Sequence, residues 1–422
     1  MKVTIEKSEA RGRVAAPPSK SCTHRALMCA SMAKGKSKII FPLDCDDVEA
    51  TVDVLRACGV KFGKNGKQFE VEGGVFSSPS EELYCRESGT TLRFMTAFCS
   101  LVGRSRLTCG SSLLKRPIGP LVDSLRQLGV RCKCADGYPP VEIEKRGIEG
   151  GKTTLLGDIS SQFISALLLV SPFTPKTAIC LTTPLESKPY VLMTLEMQRK
   201  FGIEISLSDE MQNFLIHQQR YNPAVVPIEG DWSSASFLLA AGALTGKLEV
   251  RNLNFGSLQA DKVIGEILKS MGARIKINRE KKSVAIDKSE LRGIEIDVSN
   301  CPDLFPVICV LAANAKGISR ITGIKRLRIK ESDRVELMRK GLERMGAEVK
   351  EEDGEVIIKG MSSLSGATID PERDHRIAMA FAVLGLVAEG ETLIKNAECV
   401  AKSFPGFWDK LKELNCEVVK SE

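Results

Sequence analysis

Hydrophobic and polar positions along the chain follow two periods, that of a helix and that of a strand. Apolar residues at three- and four-residue steps predict helices, and short β-branched segments predict strands. A helix that ends at glycine or asparagine and precedes a two-stranded hairpin occurs six times. The six closing residues are Gly59, Gly129, Gly202, Gly272, Gly346 and Asn415. Their spacings are 70, 73, 70, 74 and 69 residues, which indicates six structural repeats.

Each repeat also contains an apolar, alanine-rich helix before the closing one. These apolar helices are predicted at 21–33, 89–101, 161–171, 233–244, 303–314 and 375–388. A short strand follows each of them, so every repeat is βαβαββ-like. Helices that alternate with strands predict the α/β class. Six repeats of this length predict two domains with three repeats each.

Two positions where the chain changes pattern suggest the domain bounds. A chain of 422 residues is too long for one ordinary core. We predict a first domain at 15–227 and a second at 1–14 with 228–422. The sixth repeat stops at 416–419 without room for another strand, so the strand predicted at 3–6 is expected to return to the second domain.

Composition excludes several classes of protein. The net charge of +7 is modest for this length, and aromatic residues make up only 5%, which disfavours stacking on nucleic-acid bases. The longest apolar runs fall short of the roughly 20 residues that span a bilayer. The chain begins directly with a strand pattern and has no signal-peptide core. We therefore expect a cytoplasmic protein that binds neither nucleic acid nor membrane.

Cysteine and histidine are distributed in a way that disfavours a metal centre. The 14 cysteines are scattered without any C-x-x-C spacing, and there are only three histidines. We expect reduced and mostly buried thiols, with no metal.

Charged residues at the starts of the apolar helices are the first sign of a site. Serine and aspartate there are typical helix caps, and capping alone accounts for Ser88, Ser160, Ser233 and Asp303. Capping does not account for the cations, because a helix N-terminus already carries partial positive charge. These cations are Lys20, Arg25, Arg373 and Arg376.

The segment 329–334 concentrates more charge. It is predicted to open an amphipathic helix that ends at Gly346, with Lys330 and Arg334 on one face and Glu331 three residues before Arg334. This segment alone allows two interpretations, a solvated face with salt pairs or an anion site. If the helix starts converge, their cations form an electropositive cleft between the two domains, suited to substrates with phosphate and carboxylate groups.

Eight motifs, in order, resemble those of the EPSP synthase family. They are Pro18-Ser19-Lys20-Ser21 with Arg25, Ser88-Gly89-Thr90-Thr91, Arg116-Pro117, Asp158-Ile159-Ser160-Ser161-Gln162, Ser187-Lys188-Pro189-Tyr190, Lys330-Glu331-Ser332-Asp333-Arg334, Asp374-His375-Arg376 and Lys402-Ser403-Phe404-Pro405. The resemblance implies a two-domain inside-out α/β barrel. It also implies transfer of the enolpyruvyl group of phosphoenolpyruvate to the 5-hydroxyl of shikimate 3-phosphate, with release of phosphate, in the shikimate pathway of aromatic amino acid biosynthesis.

The same resemblance implies a role for individual residues. Asp303 would take the hydroxyl proton, Glu331 would protonate the methylene carbon, and Lys330 and Lys20 would complete the catalytic set. The implied phosphoenolpyruvate site is Lys20, Gly89, Arg116, Gln162, Arg334, Arg376 and Lys402. The implied shikimate 3-phosphate site is Lys20, Ser21, Arg25, Ser160, Ser161, Gln162, Ser187, Asp303 and Lys330. No cofactor is implied, and a monomer is expected.

One departure and two rival functions stay open. Many family members carry asparagine where this chain has Arg326, which either adds charge at the phosphate end or is solvated. The nearest rival is the enolpyruvyl transferase that acts on UDP-N-acetylglucosamine, although Cys109 lies several residues too early for its loop cysteine. A second rival is a nucleic-acid module such as an RNA-terminal phosphate cyclase, which needs a nucleotide site and a catalytic histidine.

Overall fold

A computed structural model describes residues 1–361 and 363–421. Across these two ranges, the α-helices are α1 Lys20–Met32, α2 Asp46–Ala57, α3 Gly89–Val102, α4 Gly119–Gln127, α5 Ser161–Val170, α6 Lys188–Lys200, α7 Trp232–Thr245, α8 Ile264–Ser270, α9 Phe305–Ala313, α10 Arg334–Arg344, α11 His375–Gly385 and α12 Phe407–Glu413.

Strands alternate with these helices. They are β1 Lys2–Ile5, β2 Arg11–Ala15, β3 Gly35–Ile40, β4 Lys61–Asn65, β5 Gln68–Gly73, β6 Leu83–Tyr84, β7 Ser105–Thr108, β8 Cys132–Ala135, β9 Tyr138–Ile143, β10 Gly151–Leu155, β11 Lys176–Leu181, β12 Ser206–Leu207, β13 Asn213–His217, β14 Val225–Pro227, β15 Lys247–Arg251, β16 Arg274–Asn278, β17 Ser283–Asp287, β18 Glu295–Asp297, β19 Ile318–Thr322, β20 Glu348–Glu352, β21 Glu355–Lys359, β22 Thr368–Ile369, β23 Thr392–Ile394 and β24 Val418–Ser421.

The strands form four-stranded sheets that share one pattern of parallel and antiparallel pairing. The sheet orders in the described ranges are β14-β3-β5-β4, β6-β7-β9-β8, β10-β11-β13-β12, β2-β15-β17-β16, β18-β19-β21-β20 and β22-β23-β1-β24. In each sheet the first two strands are parallel and the remaining neighbours are antiparallel. The predicted α/β class and the predicted sixfold repeat are confirmed.

Three strands complete sheets far from their own place in the sequence. β14 lies parallel to β3, and β2 lies parallel to β15. β1 pairs with both β23 and β24, so that Val3 faces Ile394 and Ile5 faces Val418. The N-terminal strand therefore supplies the position that the sixth repeat lacks, as its early end predicted.

The predicted helix ends are confirmed in the backbone. All six closing residues have positive φ, between 65° at Asn415 and 92° at Gly346. Glycine adopts this left-handed conformation without strain, and asparagine is the next most tolerant residue. The apolar helices begin close to their predicted positions, except that α9 begins at Phe305 after a 3₁₀ turn over Pro302–Leu304.

The chain divides into two compact units, each with its own core. The first unit is Pro18–Ile228, and the second unit is Met1–Pro17 with Glu229–Glu422. α7 is apolar on every side and buried along its whole length in the core of the second unit. Eleven of the fourteen cysteines are buried, which confirms the expectation of mostly buried thiols. In the described ranges, none of the helices has the length and apolarity to cross a bilayer.

Candidate active site

Arg334 lies at the centre of a charged cluster in the second unit. Its side chain is 1% exposed. Its Nε donates to Asp374, its Nη1 to Asp303 and its Nη2 to Glu331, each at 2.8 Å. Burial by itself lowers the pKa of an arginine, but these three carboxylates raise the pKa of Arg334 well above its ordinary value. Arg334 therefore stays charged and joins acids from three separate segments.

The predicted helix start at 329–334 is wrong by about one turn. α10 begins at Arg334, because Asp333 caps it by accepting a hydrogen bond from the Glu336 backbone N–H at 3.0 Å. Lys330 and Glu331 lie in the loop before the helix. They do not share a helix face with Arg334, although Glu331 pairs with it.

Both carboxylate oxygens of Asp303 accept hydrogen bonds from arginines. Oδ1 accepts from Nη1 of Arg334 at 2.8 Å, and Oδ2 accepts from Nη2 of Arg376 at 2.9 Å. Burial would raise the pKa of Asp303, but the charges of Arg376, Arg334 and Lys330 hold that pKa well below its usual range. Asp303 is a fixed, ionised carboxylate, and its basicity increases when either arginine is drawn away from it.

Lys330 loses its proton more readily than an ordinary lysine. Burial lowers the pKa of Lys330 to about 8, with Asp303 opposing the shift and Arg326 adding to it. Arg326 itself is 6% exposed, and its Nη2 donates to the carbonyl of Ser299 at 2.7 Å. The interpretation of Arg326 as a solvated residue is therefore wrong.

The capping assignments hold for two of the four residues. Ser88 and Ser160 cap α3 and α5 through their side chains. Asp231 caps α7 in place of Ser233. Asp303 lies in the turn before α9 and caps no helix. Both exceptions contact Arg376, since Ser233 Oγ and Asp303 Oδ2 accept from its guanidinium.

Asp374 and Lys402 lie at the edge of this cluster. Asp374 is fully buried, and it caps α11 by accepting from the Arg376 backbone N–H at 2.9 Å while it also accepts from Arg334. Lys402 is buried at the end of the 3₁₀ turn Ala397–Lys402. Burial and the charge of Asp374 raise the pKa of Cys399, and Lys402 lowers it, which places both charges near one thiol.

In the first unit, Lys20 opens α1 and pairs with an acid that the sequence did not single out. Its Nζ lies 2.8 Å from Oδ2 of Asp47, and the side chains are 16% and 6% exposed. Asp47 lies in the first turn of α2, where an acidic residue is ordinary. Sequence alone therefore gave no reason to select it.

Gly89 opens α3 between two guanidinium groups. A β-carbon at Gly89 would overlap Nη1 of Arg93 and lie 3.0 Å from Nη1 of Arg116. Arg93 was missed from the sequence, although it carried the same signal as Arg25, a cation near the start of an apolar helix. It is 3% exposed and lies over the ring of Phe163, with its Cζ 5.8 Å from the ring centre.

Arg25 is fixed by hydrogen bonds to three residues. Its Nε donates to Thr194 Oγ1 at 2.8 Å, its Nη2 to the carbonyl of Tyr190 at 2.9 Å and its Nη1 to the carbonyl of Ser21 at 3.0 Å. Burial lowers the pKa of Arg25 to about 10. The side chain joins α1 to α6 and remains a cation at neutral pH.

The remaining predicted residues lie at the starts of α5 and α6. Gln162 Nε2 donates to Thr90 Oγ1 at 3.0 Å, which joins α5 to α3. Ser160 and Ser161 are the cap and the first residue of α5. Ser187 precedes α6 with a φ of 56°, a conformation that a residue other than glycine rarely adopts. Such backbone strain is common at binding sites.

A hydroxyl network links further helix starts in the first unit. His24 Nδ1 lies 2.8 Å from Thr51 Oγ1, which is 2.7 Å from Thr91 Oγ1, and Thr91 Oγ1 is 2.7 Å from Ser88 Oγ. Burial lowers the pKa of His24 to about 3, so its ring is neutral. This network brings the starts of α1, α2 and α3 together.

The structure thus assembles two charged groups of residues, one in each unit. In the first unit, hydrogen bonds connect the starts of α1, α3, α5 and α6. In the second unit, they connect the starts of α7, α10 and α11 with Asp303. In the described ranges, no group of histidine, cysteine, aspartate and glutamate residues could hold a metal ion. The chemistry these groups offer is anion binding by arginine and lysine, and proton transfer by carboxylates.

Comparisons with known proteins cover nearly the whole chain. The family model described as EPSP synthase (3-phosphoshikimate 1-carboxyvinyltransferase) matches residues 5–411. Curated proteins named 3-phosphoshikimate 1-carboxyvinyltransferase are 42% identical in Dehalococcoides mccartyi, over all of both chains, and 41% identical in Methanocaldococcus jannaschii, over 96% of each.

Solved structures agree with this result. An EPSP synthase from Acinetobacter baumannii superposes with a TM-score of 0.83 at 26% identity, over 100% of both chains. The enolpyruvyl transferase NikO from Streptomyces tendae superposes with a TM-score of 0.80 over 99% of this chain and 98% of its own, and at 18% identity it supports the fold alone. Sequence, fold and the two groups of charged residues lead to one conclusion: the chain belongs to the EPSP synthase family.

Proposed function

We propose that this chain transfers the enolpyruvyl group of phosphoenolpyruvate to the 5-hydroxyl of shikimate 3-phosphate, with release of inorganic phosphate. The observation that carries the proposal is the arrangement around Arg334. One buried arginine fixes two carboxylates, Asp303 and Glu331, each with an Nη–O distance of 2.8 Å. A reaction with two proton transfers needs two such groups near one another.

Addition and elimination assign different protons to these carboxylates. In the addition, Asp303 takes the proton of the 5-hydroxyl as its oxygen attacks, and Glu331 gives a proton to the methylene carbon. In the elimination, the methyl group returns a proton to Glu331 as the carbon–carbon double bond re-forms. The C–O bond to phosphate breaks, and Asp303 gives its proton to the departing phosphate. Lys330, beside Asp303, stabilises the negative charge of the tetrahedral intermediate.

Substrate anions explain how Asp303 becomes basic. Without substrate, Arg334 and Arg376 bond to both of its oxygens, which keeps its proton affinity low. The carboxylate and phosphate groups of phosphoenolpyruvate compete for the same guanidinium groups, because arginine binds such oxygens in pairs. When an arginine turns to the substrate, the pKa of Asp303 rises and it becomes a better proton acceptor.

The remaining binding residues belong to the same proposal. Phosphoenolpyruvate would contact Lys20, Gly89, Arg116, Gln162, Arg334, Arg376 and Lys402. Shikimate 3-phosphate would contact Lys20, Ser21, Arg25, Ser160, Ser161, Gln162, Ser187, Asp303 and Lys330. Arg93 and Asp47, which touch two of these residues, are candidates for positioning them.

The decisive assay compares two acceptors. Phosphate release from phosphoenolpyruvate is measured with shikimate 3-phosphate and, separately, with UDP-N-acetylglucosamine. We expect release with the first acceptor only. Cys109, the one cysteine near the loop that the second activity would need, is buried, and burial raises the pKa of its thiol to about 11. Release with the second acceptor alone would refute the proposal.

Variants test the two proton-transfer roles. We expect Asp303→Asn and Glu331→Gln to lower kcat by about 100- to 10,000-fold, which is the usual effect of removing a general acid or base. Incorporation of solvent tritium into the methylene group of phosphoenolpyruvate should fall with Glu331→Gln. Glu343→Gln, on the exposed end of α10, is the matched control. Normal tritium exchange in Glu331→Gln would assign the methylene proton to another group.

We also propose that the protein is a monomer, and that it acts in the cytoplasm because its substrates are small, highly charged and dissolved in water. Light scattering of the purified protein tests the first statement, and cell fractionation tests the second. A stable dimer at micromolar concentration would correct the first.

A further inference from the structure

Glu87 is an acid beside a proposed substrate contact, and the proposed mechanism does not use it. It directly precedes the cap of α3, and Gly89 opens that helix. Its carboxylate oxygens accept hydrogen bonds from a separate segment. Oε1 accepts from the backbone N–H of Ser112 at 3.4 Å, Oε2 accepts from the backbone N–H of Leu113 at 3.2 Å, and the Ser112 hydroxyl also donates to Oε2. A negative charge close to an anion-binding residue weakens the binding of anions, so Glu87 needs a structural reason to be there.

These hydrogen bonds cap a 3₁₀ turn from a distant part of the chain. The turn is Leu113–Lys115, and Ser112 flanks it. A helical turn begins with backbone N–H groups that have no acceptor inside the turn, and a carboxylate is a suitable acceptor for them. The Ser112 hydroxyl is directed to Glu87, which supplies the cap from 25 residues away.

Gly110 shows that the chain leaves room for this carboxylate. A β-carbon at Gly110 would overlap Oε1 of Glu87, so the carboxylate would have to move if a larger residue stood there. The two backbones also meet at this point, because the N–H of Gly110 donates to the carbonyl of Arg86 at 2.8 Å. Residues 86–87 and 110–113 are therefore held side by side.

The capped turn leads directly to Arg116, a residue of the proposed phosphoenolpyruvate site. The backbone N–H of Arg116 closes the turn by donating to the carbonyl of Leu113 at 3.1 Å. Its guanidinium returns to the start of α3, where Nη1 lies 3.0 Å from the position of a β-carbon at Gly89. The place of this guanidinium depends on where the turn begins, and Glu87 fixes that beginning.

We propose that Glu87 is a positioning residue, which anchors the 3₁₀ turn Leu113–Lys115 to the start of α3 and so holds the guanidinium of Arg116 where phosphoenolpyruvate binds. The inference rests on the proposed function, in which Arg116 contacts that substrate. It adds a residue that the resemblance did not include. Glu87 itself has no contact with substrate in this proposal and transfers no proton.

Removing the carboxylate should weaken the binding of one substrate and spare the other. In Glu87→Ala we expect KM for phosphoenolpyruvate to rise by about five- to twentyfold, because a displaced guanidinium loses part of a charge-assisted contact. KM for shikimate 3-phosphate should stay within about twofold, since its proposed contacts lie on other elements. Glu87→Gln keeps one acceptor oxygen and Ser112→Ala removes one hydrogen bond, so we expect smaller rises of about two- to threefold in both.

A double-mutant cycle in the full-length enzyme tests whether Glu87 acts through Arg116. KM and kcat for phosphoenolpyruvate are measured at saturating shikimate 3-phosphate in the unmodified chain, Glu87→Ala, Arg116→Ala and the double variant. If the proposal is right, Glu87→Ala should change KM by less than about twofold once the guanidinium of Arg116 is gone. Rises that multiply in the double variant, or equal rises in KM for both substrates, would overturn the inference.

Hydrogen exchange provides a readout that does not depend on turnover. The backbone N–H groups of Ser112 and Leu113 should exchange faster in Glu87→Ala than in the unmodified chain, because their acceptor is gone. Glu82→Ala is the matched control, since Glu82 is an exposed acid that pairs with Arg106. It should change neither the exchange nor KM. Unchanged exchange in Glu87→Ala would show that the carboxylate does not hold the turn, and the inference would then be wrong.

Two milder variants keep the inference testable if Glu87→Ala does not fold. Glu87→Gln and Ser112→Ala then take its place in the same cycle with Arg116→Ala, and a normal KM for phosphoenolpyruvate in both would overturn the inference. Absence of any transfer by the unmodified chain would instead refute the proposed function, and this inference with it.

Discussion

Lys330 carries a positive charge, and burial lowers the pKa of its side chain to about 8. If its charge stabilises the intermediate, kcat/KM should fall as the pH rises above 8, because the lysine then loses its proton. Lys330→Arg keeps the charge at every accessible pH, so we expect the basic limb of the pH profile to move upward by more than one unit. Lys340→Arg, on an exposed face of α10, is the control. An unmoved basic limb in Lys330→Arg would assign that limb to another group.

A substitution at Gly89 tests whether the missing side chain makes room for the substrate. In Gly89→Ala, the new β-carbon displaces the guanidinium of Arg93 and crowds that of Arg116. We expect KM for phosphoenolpyruvate to rise, and binding of the bulkier anion glyphosate to weaken further. Stability should change by less than about 1 kcal/mol, since alanine suits a helix better than glycine.

Calorimetric melting and inhibition by glyphosate, measured on the same preparation, separate these effects. Gly265→Ala is the control, because Gly265 lies in α8 with no atom near its missing β-carbon. A Gly89→Ala protein that loses thermal stability in step with glyphosate binding would show a backbone role instead.

At this scale the sequence revealed the cations but not all of their partners. Lys20, Arg25 and Arg376 stood out because a positive charge is unfavourable at a helix start. Asp47 did not, because an acid near a helix start is ordinary. Its pairing with Lys20 joins residues 27 positions apart, and no local pattern encodes such a contact.

At the scale of an element, the start of α11 depends on Asp374 for two reasons. Asp374 caps the helix, and it also accepts from Nε of buried Arg334 at 2.8 Å. Loss of a cap costs about 1 kcal/mol, but removing one partner of a buried ion pair costs about 3–5 kcal/mol. We expect Asp374→Ala to lose the larger amount and Asp374→Asn, which keeps a capping oxygen, somewhat less.

Urea denaturation gives these free energies of unfolding. Ser160→Ala is the comparison, since Ser160 caps α5 with a neutral hydroxyl, and we expect a loss near 1 kcal/mol there. Equal losses in Ser160→Ala and Asp374→Ala would show that Asp374 acts as a cap alone.

The end of a helix was predictable where the conformational freedom of a single residue determines it. The start of a helix was not predictable where a side-chain hydrogen bond determines it. Gly59 and Gly346 ended their helices as expected because left-handed φ is accessible to glycine. The start of α10 was misplaced because helical spacing in 329–334 continued upstream of the cap. Asp333 accepts a hydrogen bond from the backbone N–H of Glu336 and thereby caps the helix. The helical spacing of the four residues before Asp333 therefore does not extend the helix upstream.

At the scale of the molecule, the six repeats do not follow one another simply. β14 and β2 are each the first strand of a sheet whose other strands lie far away in the sequence, since β14 pairs with β3 and β2 pairs with β15. β1 completes the sheet of the sixth repeat. The early end of the sixth repeat predicted the return of β1. The exact bounds of the two predicted domains, 15–227 and 1–14 with 228–422, stay a prediction about which segments fold independently.

That prediction can be tested with the segment 18–228 alone. Every strand of its three sheets pairs within the segment, and its apolar helices share one core. We therefore expect it to fold by itself and unfold in one cooperative transition. All four tyrosines and neither tryptophan lie in this segment. Tyrosine fluorescence and circular dichroism can therefore follow its unfolding.

The shorter segment 18–222 is the matched comparison. It lacks β14, so β3 loses its parallel neighbour, and the buried side chains of Val226 and Ile228 are lost from the core. Removing two such side chains should destabilise the segment by about 3–6 kcal/mol. If 18–228 shows no cooperative transition, the first unit does not fold independently, and the domain prediction is wrong. If both segments are equally stable, β14 does not complete the first sheet in the way that its pairing with β3 suggests.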